Sequence, residues 1–206
     1  MKVLLLNGSP HEKGCTYTAL HEIAVTLRND GVEAEIFWLG TDAVKSCTAC
    51  GACRKLGKCA YDDVANEVIA KLDDCDGLII GSPVHYAGAS GQVTAVMDRV
   101  FYAATAKLRY KPGAAIVSAR RGGTTAAFDQ LNKYFTIAQM PIVSSRYWNM
   151  VHGNTPEEVM RDEEGVAIMR TLGHNMAWLL KSIQAGRDAG LEPPVREPGV
   201  WTNFIR

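Results

Sequence analysis

Neither sign of charge prevails in this chain: 22 Lys and Arg stand against 22 Asp and Glu, giving a formal net charge of zero. Without a net field there is no general attraction to nucleic acid or to an anionic membrane, so any anion must be bound locally. Long apolar runs are missing as well. The opening run at residues 3–6 is shorter than the apolar core of a signal peptide and no cleavage-like stretch follows it. No other run approaches the length that crosses a bilayer. The expectation is a soluble, cytoplasmic protein. Two nucleotide fingerprints are absent too: there is no G-x-x-x-x-G-K-S/T segment and no G-x-G-x-x-G segment. A nucleoside triphosphatase and a tightly held dinucleotide are therefore disfavoured. No internal repeat or low-complexity segment interrupts the chain.

What is present fits one globular domain over residues 1–206. Hydrophobic residues make up 47% and charged residues 21% of the chain, and a domain of this length buries roughly 70% of the surface its unfolded chain exposes. Val3 to Leu6 reads as a strand buried on both faces. Leu20, Ile23, Ala24 and Leu27 recur at helical spacing and Asp30-Gly31 stops that helix. Val32, Ala34, Ile36 and Trp38 alternate as a strand nearer an edge. Asp62 or Asp63 caps a helix carrying Val64, Val68, Ile69 and Leu72, ahead of a strand at 78–80. Ser90-Gly91 opens another helix, a strand follows at 114–117, and a helix at 125–135. Ile142 and Val143 make the fifth strand. A last helix, about 165–185, presents Ile168, Leu172, Leu179 and Ile183, and an irregular tail starts near 188. Strict alternation predicts an open, doubly wound α/β/α arrangement around a five-stranded parallel sheet rather than a closed barrel.

In such sheets ligands collect outside the carboxyl ends of the strands. After the first strand comes Asn7-Gly8-Ser9-Pro10-His11-Glu12-Lys13-Gly14-Cys15-Thr16-Tyr17-Thr18, a turn rich in glycine and hydroxyls that runs into a helix. Close backbone approach, hydroxyl donors and unpaired N–H groups at a helix start favour a phosphate, and a mononucleotide fits better than a dinucleotide. The plainer reading is that Ser9, Thr16 and Thr18 cap a helix. The loop after the third strand, residues 81–91, places Tyr86 at its tip, where a flat ligand has an aromatic to lie against. The loop after the fourth, Ser118-Ala119-Arg120-Arg121-Gly122-Gly123-Thr124, adds glycines and two guanidiniums. Three consecutive loops suit one ligand.

Cys47, Cys50, Cys53 and Cys59 form C-x2-C-x2-C-x5-C inside an insertion at about 45–62. In a reducing compartment such a group means metal or redox chemistry rather than a disulfide framework. The spacing of two suits a 4Fe-4S cluster, although the fourth cysteine lies later than in bacterial ferredoxin runs and lacks the following proline. Zinc ranks second and a reduced, metal-free loop is the third reading. Cys15 and Cys75 read as packing residues. His21, His152 and His174 form no metal-ligand spacing, and Tyr147 and Trp148 suit a substrate pocket or a subunit contact.

The segments Gly8-Ser9-Pro10 with the Gly14–Thr18 turn, Gly81-Ser82-Pro83-Val84-His85-Tyr86, Ser90-Gly91-Gln92, Met97-Asp98-Arg99 and the spaced cysteines before Asp62-Asp63 together resemble one family. It is that of the flavodoxin-like NADPH-dependent FMN reductases, within them the subgroup related to iron-sulfur flavoproteins. The resemblance covers nearly the whole chain and implies a flavodoxin-like three-layer α/β/α sandwich whose five-stranded parallel sheet has the order 2-1-3-4-5. It implies that Ser9, His11, Thr16, Tyr17 and Thr18 surround an FMN phosphate, by side chain or backbone. Pro83, Val84, His85 and Tyr86 would flank the ring, and Ala119, Arg120, Arg121, Gly122 and Gly123 its pyrimidine edge. His11 stands where the family often has arginine, which would make that contact pH-dependent. Arg120 and Arg121 alternatively form surface ion pairs or meet the extra phosphate of NADPH. The chemistry would lie on the flavin, with no essential protein acid or base.

Three functions follow as expectations. The first is an NAD(P)H-dependent oxidoreductase passing electrons through FMN to a small-molecule acceptor: a quinone, a flavin, an aromatic or a metal compound. The second is an iron-sulfur electron carrier working with a ferredoxin-like protein. The third is a nonenzymatic flavin-binding module. The resemblance also implies a homodimer or homotetramer.

Overall fold

The computed structural model describes residues 1–200 and 202–204. The chain runs β1 (Lys2–Asn7), α1 (Cys15–Asn29), β2 (Glu33–Trp38), α2 (Cys53–Leu56), α3 (Val64–Lys71), β3 (Gly77–His85), β4 (Gly88–Ala89) and α4 (Gly91–Leu108). It continues through β5 (Gly113–Ala119), α5 (Thr124–Ile137), β6 (Met150–His152), α6 (Pro156–Arg161) and α7 (Glu163–Asp188). Beyond Asp188 no helix or strand occurs among the described residues.

Parallel pairing gives the order β2-β1-β3-β5-β6, while β4 pairs antiparallel with β3 alone. The five-strand path is the predicted one and β4 is an addition to it. Alternation along β1 explains the layers. Leu4 and Leu6 point into a core shared with α3, α4 and α5, and Val3 and Leu5 into a second core shared with α1 and α7. All four are completely buried, as a central strand of a covered parallel sheet requires. No helix among the described residues is long and apolar enough to cross a membrane.

The helix starts obey local chemistry. Asp63 accepts the Ala65 amide at 3.0 Å and Ser90 the Val93 amide at 3.3 Å, capping α3 and α4 as the sequence predicts. Two expectations are corrected. The fifth strand lies at Met150–His152, not at Ile142 and Val143. Ile142 makes only an isolated bridge to Gly113, and the chain then bulges away until the Asn149 carbonyl accepts the Val117 amide. Asn149 is buried, its amide donating to the Ala115 carbonyl and its oxygen accepting from Ser145, so a side chain fills the gap in the edge. In α7 the buried stripe is Ile168, Met169, Leu172, Met176, Ala177 and Leu180, with Leu179 and Ile183 only partly covered. The predicted Ile168 and Leu172 are buried and the difference lies in the second half, where Met176, Ala177 and Leu180 replace Leu179 and Ile183 on the covered face of a helix packed against α1.

At the edge strand, Glu35 reaches Lys2 at 2.6 Å and Lys71 at 2.5 Å, tying β2 to β1 and α3. Lys2 first, and then Lys71, hold its carboxyl below the ordinary value of 4.5. A depressed folded-state pKa gives stability that is complete above the unfolded value and is lost as pH falls through the folded one. Glu35→Gln should therefore cost about 1 kcal/mol at pH 7. The difference from wild type should shrink as the pH of urea denaturation is lowered below 4.5.

Candidate functional site

Three loops meet at the carboxyl edge of β1, β3 and β5, and specific bonds join them. The Gly8 amide donates to the Gly81 carbonyl at 2.9 Å, continuing the β1–β3 ladder by one step. The Ser90 hydroxyl donates to the Gly8 carbonyl at 3.1 Å, and the Thr16 and Ser118 hydroxyls meet at 2.8 Å. A β-carbon at Gly8 would lie 1.9 Å from Cγ2 of Val93. Only glycine lets α4 press against this backbone.

Inside the first loop, Asn7 does most of the folding. Its amide donates to the Glu12 carbonyl at 2.9 Å and its oxygen accepts the Ser9 amide at 3.2 Å. Ser9 is buried and accepts the His11 amide at 3.1 Å, while its own carbonyl accepts Nε1–H of Trp38. Thr18 donates to the Gly14 carbonyl. Tyr17 stacks on His21 beneath Lys13 in a separate cleft of about 310 Å³ that Arg28 and Trp38 also line. Its contribution to the loop is therefore its backbone. His11 is exposed. The role of Asn7 was legible in one respect, since Asn before Gly at a strand end marks a turn held by its own side chain.

The start of α1 is open. Its N-cap is Gly14, with no side-chain cap and no acidic residue in the first turn, and α5 begins the same way at Gly123. By contrast α3, α4, α6 and α7 are each closed by a side chain. Among the helices longer than one turn, α1 and α5 are the two left uncapped, and both start at this edge, beside the side-chain-capped start of α4. Each presents free N–H groups and the positive end of a helix dipole.

Pro83, Val84, His85 and Tyr86 run out along β3 into a tight hairpin with β4. Tyr86 and Ala87 form its tip with φ of 49° and 61°, and Tyr86 is fully exposed. A tyrosine at positive φ is rare and is held here by its surroundings. A β-carbon at Gly123, whose φ is 92°, would lie 2.7 Å from Cα of Ala87, so the tip rests on the N-cap of α5. Ala119 is buried at the end of β5, and Arg120, Arg121 and Gly122 are exposed. Among the described residues neither arginine enters a hydrogen bond or ion pair, so the ion-pair reading is corrected. Burial pushes the Cys15 and Cys75 thiols up, in keeping with packing roles.

A second centre lies beside α4. Cys47, Cys50, Cys53 and Cys59 are free thiols lining one pocket of about 180 Å³, closed by Arg99 and Tyr102. The Cys47 sulfur accepts the Ala49 amide at 3.5 Å, and the Cys53 thiol lies 3.8 Å from the Tyr102 carbonyl. Among the described residues no three His, Cys, Asp or Glu side chains converge as on a single metal ion. The donor set is nevertheless the one an iron-sulfur cluster takes, four thiols around a common space.

Sequence reasoning assigned Arg99 no role. Its guanidinium is buried and forms a fork with Asp63 at 2.6 and 2.7 Å. Burial works against its charge, and Asp63 and Cys59 more than compensate, holding its pKa above the ordinary value. A signal was present: position 99 falls between Val96 and Val100 on the apolar stripe of α4, where a charge needs a partner.

Residues 1–155 match the family described as NADPH-dependent FMN reductase. An iron-sulfur flavoprotein of Methanocaldococcus jannaschii is 31% identical over 192 residues, spanning 89% of this chain and 100% of that protein. One from Archaeoglobus fulgidus is 32% identical over 169 residues, 80% of this chain and 83% of its own. Among solved structures, a flavodoxin from the domain Archaea superimposes with a TM-score of 0.59 at 16% identity, covering 88% of this chain and 99% of that chain. At that identity the likeness concerns the fold alone.

The contact at Gly8 gives a test independent of any ligand. Gly8→Ala should cost about 1–3 kcal/mol through overpacking. Combining it with Val93→Ala, which removes the obstructing methyl, should recover at least about 1 kcal/mol relative to additivity, read by urea denaturation. Strict additivity would mean that α4 does not bear on this backbone.

Proposed function

The chain belongs to the NADPH-dependent FMN reductase family, and from that membership we propose that it oxidises NADH or NADPH on a bound FMN and passes the electrons to a small acceptor. That it is a flavin-dependent oxidoreductase of flavodoxin-like fold follows from the family and the fold. The acceptor class is a quinone, a free flavin, an aromatic or a metal compound. The observation that carries the reading is the pair of uncapped helix starts, Gly14 and Gly123, at the carboxyl edge where the Gly8–Gly81 and Thr16–Ser118 bonds join the loops.

Ser9, His11, Thr16, Tyr17 and Thr18 would hold the phosphate, Tyr17 through its amide. Backbone N–H groups at the first turn of α1 are uncommitted to any side-chain cap, as a tightly held phosphate requires. Pro83, Val84, His85 and Tyr86 would flank the ring. Ala119, Arg120, Arg121, Gly122 and Gly123 would lie at its pyrimidine edge, where the α5 dipole and the free guanidiniums favour negative charge. When bound, FMN supplies the hydride acceptor, and the protein positions it and leaves one face open. The exposed Tyr86 ring gives nicotinamide or acceptor a surface to stack on.

A second reading rests on the four free cysteines around one pocket. Cys47, Cys50, Cys53 and Cys59 would hold a 4Fe-4S cluster, supplying one-electron chemistry between FMN and a ferredoxin-like partner. The curated relatives carry the name iron-sulfur flavoprotein. Exposed Tyr147 and Trp148, their rings 4.7 Å apart, would contribute to a homodimer or homotetramer contact.

Anaerobic purification with a visible spectrum and iron assay separates the readings. Flavin bands bleached rapidly by NADPH support the reductase. Broad iron-sulfur absorbance with bleaching only by reduced ferredoxin supports the carrier, and colourless protein that takes up no added FMN defeats both. Ser9→Ala combined with Thr16→Ala should raise the FMN Kd at least about tenfold, the loss of one to two hydrogen bonds to a charged group. Unchanged affinity would show that the phosphate lies elsewhere. Arg120→Ala and Arg121→Ala should raise KM for NADPH and leave KM for NADH alone if a guanidinium meets the extra phosphate. A more negative flavin potential with both KM values intact would place the arginines at the ring.

A further inference from the structure

Among the described residues Arg99 is the one charged side chain that is fully buried, and all five of its N–H groups are committed. Nε donates to the Cys59 sulfur at 3.1 Å. Nη1 donates to the Lys45 carbonyl at 3.1 Å and to Asp63 Oδ2 at 2.6 Å. Nη2 donates to the Tyr61 carbonyl at 2.8 Å and to Asp63 Oδ1 at 2.7 Å. Lys45 lies just before the first cysteine of the group, and Cys59, Tyr61 and Asp63 close it. One guanidinium therefore grips the cysteine segment at both ends. Asn66 holds Cys59 a second time, through the backbone: its oxygen accepts the Cys59 amide and its amide donates to the Cys59 carbonyl. Neither set of bonds involves a metal.

We propose that Arg99 is the positioning residue of the cysteine centre, a clasp that shapes the four-thiol pocket before iron enters and aims a charged donor at the Cys59 sulfur. The first half stands on the bonds above. The second rests on the cluster reading given under Proposed function. A planar, permanently charged guanidinium suits this because its five donors are fixed in one plane and match a carboxylate fork. Fixing both ends of the loop removes most of the closure entropy that metal binding would otherwise have to overcome. An N–H donor and a positive charge at one ligand sulfur favour the more negative, reduced form of a cluster and so raise its potential.

Hydrogen exchange on metal-free protein and a redox titration of protein loaded with iron and sulfide test the two halves separately, each on wild type, Arg99→Gln and Arg99→Lys. In metal-free Arg99→Gln, amides between 45 and 63 should exchange at least about tenfold faster while those of β1 and α1 keep their wild-type rates, as expected for a local opening. Unchanged exchange at 45–63, or equal acceleration along the whole chain, overturns the clasp. In the loaded protein, Arg99→Gln should shift the cluster potential negative by about 59 mV or more, a tenfold change in a one-electron equilibrium. Arg99→Lys, which keeps the charge and loses the fork, should fall between the two. An unshifted or more positive potential overturns the tuning role. A variant that stays folded but binds less iron than wild type, with exchange raised only at 45–63, supports the clasp. If wild type accepts no cluster, the iron reading fails while exchange still decides the clasp. Should both Arg99 variants fail to fold, Asp63→Asn, which opens the fork but leaves the guanidinium on Cys59, takes their place: exchange should again rise at 45–63 only, the potential should move positive because the balancing charge is lost, and unchanged exchange or an unshifted or more negative potential overturns the clasp or the tuning respectively.

Discussion

At the carboxyl edge of the sheet, two backbones meet with no side chain between them. The Gly8 amide reaches the Gly81 carbonyl, and the space a side chain at Gly8 would occupy is filled by Val93 of α4. Everything else at the edge is referred to that contact. Ser90, the cap of α4, binds the Gly8 carbonyl, so the start of α4 is fixed relative to the first loop. Thr16 and Ser118 then tie the first turn of α1 to the end of β5. The crevice is thus framed by sheet and helices rather than by loop flexibility, which is what positions a ligand to the fraction of an ångström that catalysis on a flavin needs.

The fold was legible in the sequence wherever burial imposes a period. The run at residues 3–6 lies in an interior strand, next to the edge strand β2 with β3 at the centre, where both faces are covered, and Asp63 and Ser90 cap because their side chains reach amides two or three residues on. The edge of the sheet was less legible. Ile142 and Val143 are apolar and β-branched, yet a long-range substitution of side chain for backbone at Asn149 moves the ladder on to Met150. No local pattern encodes that exchange. In the site, the glycine and hydroxyl loops announced themselves by composition. Asn7 and Arg99 gave weaker signals, an Asn before Gly at a strand end and a charge on an apolar stripe, and the partners of Arg99, at Lys45, Cys59, Tyr61 and Asp63, come together only once the chain has folded.

A chain with zero net charge still builds strongly signed local fields. At the carboxyl edge the positive potential comes from backbone, through the two helix starts left without side-chain caps, and from two exposed arginines that have no partner among the described residues. Such a field is short in range and fixed in direction, so it acts on a bound anion without drawing anions to the surface at large. At the cysteine pocket the positive charge is a buried guanidinium, balanced by Asp63 and aimed at sulfur. One centre uses backbone dipoles and the other a full charge beside thiols that are part of the chain itself.

The two centres are joined by α4. Its cap Ser90 binds the Gly8 carbonyl of the first loop and its Arg99 holds the cysteine segment, and nine residues of helix span about 14 Å along the axis. A helix of that length packed on both sides bends little. Any displacement of the cysteine segment must therefore either break the Arg99 fork or move the helix whose first turn is seated on Gly8. The fork is the weaker link in geometry but costly to break, because its loss leaves a charge buried without a partner. The spacing between the Gly8 contact and the backbone of Arg99 is thus set by helix geometry and not by the conformation of the loop that carries the thiols.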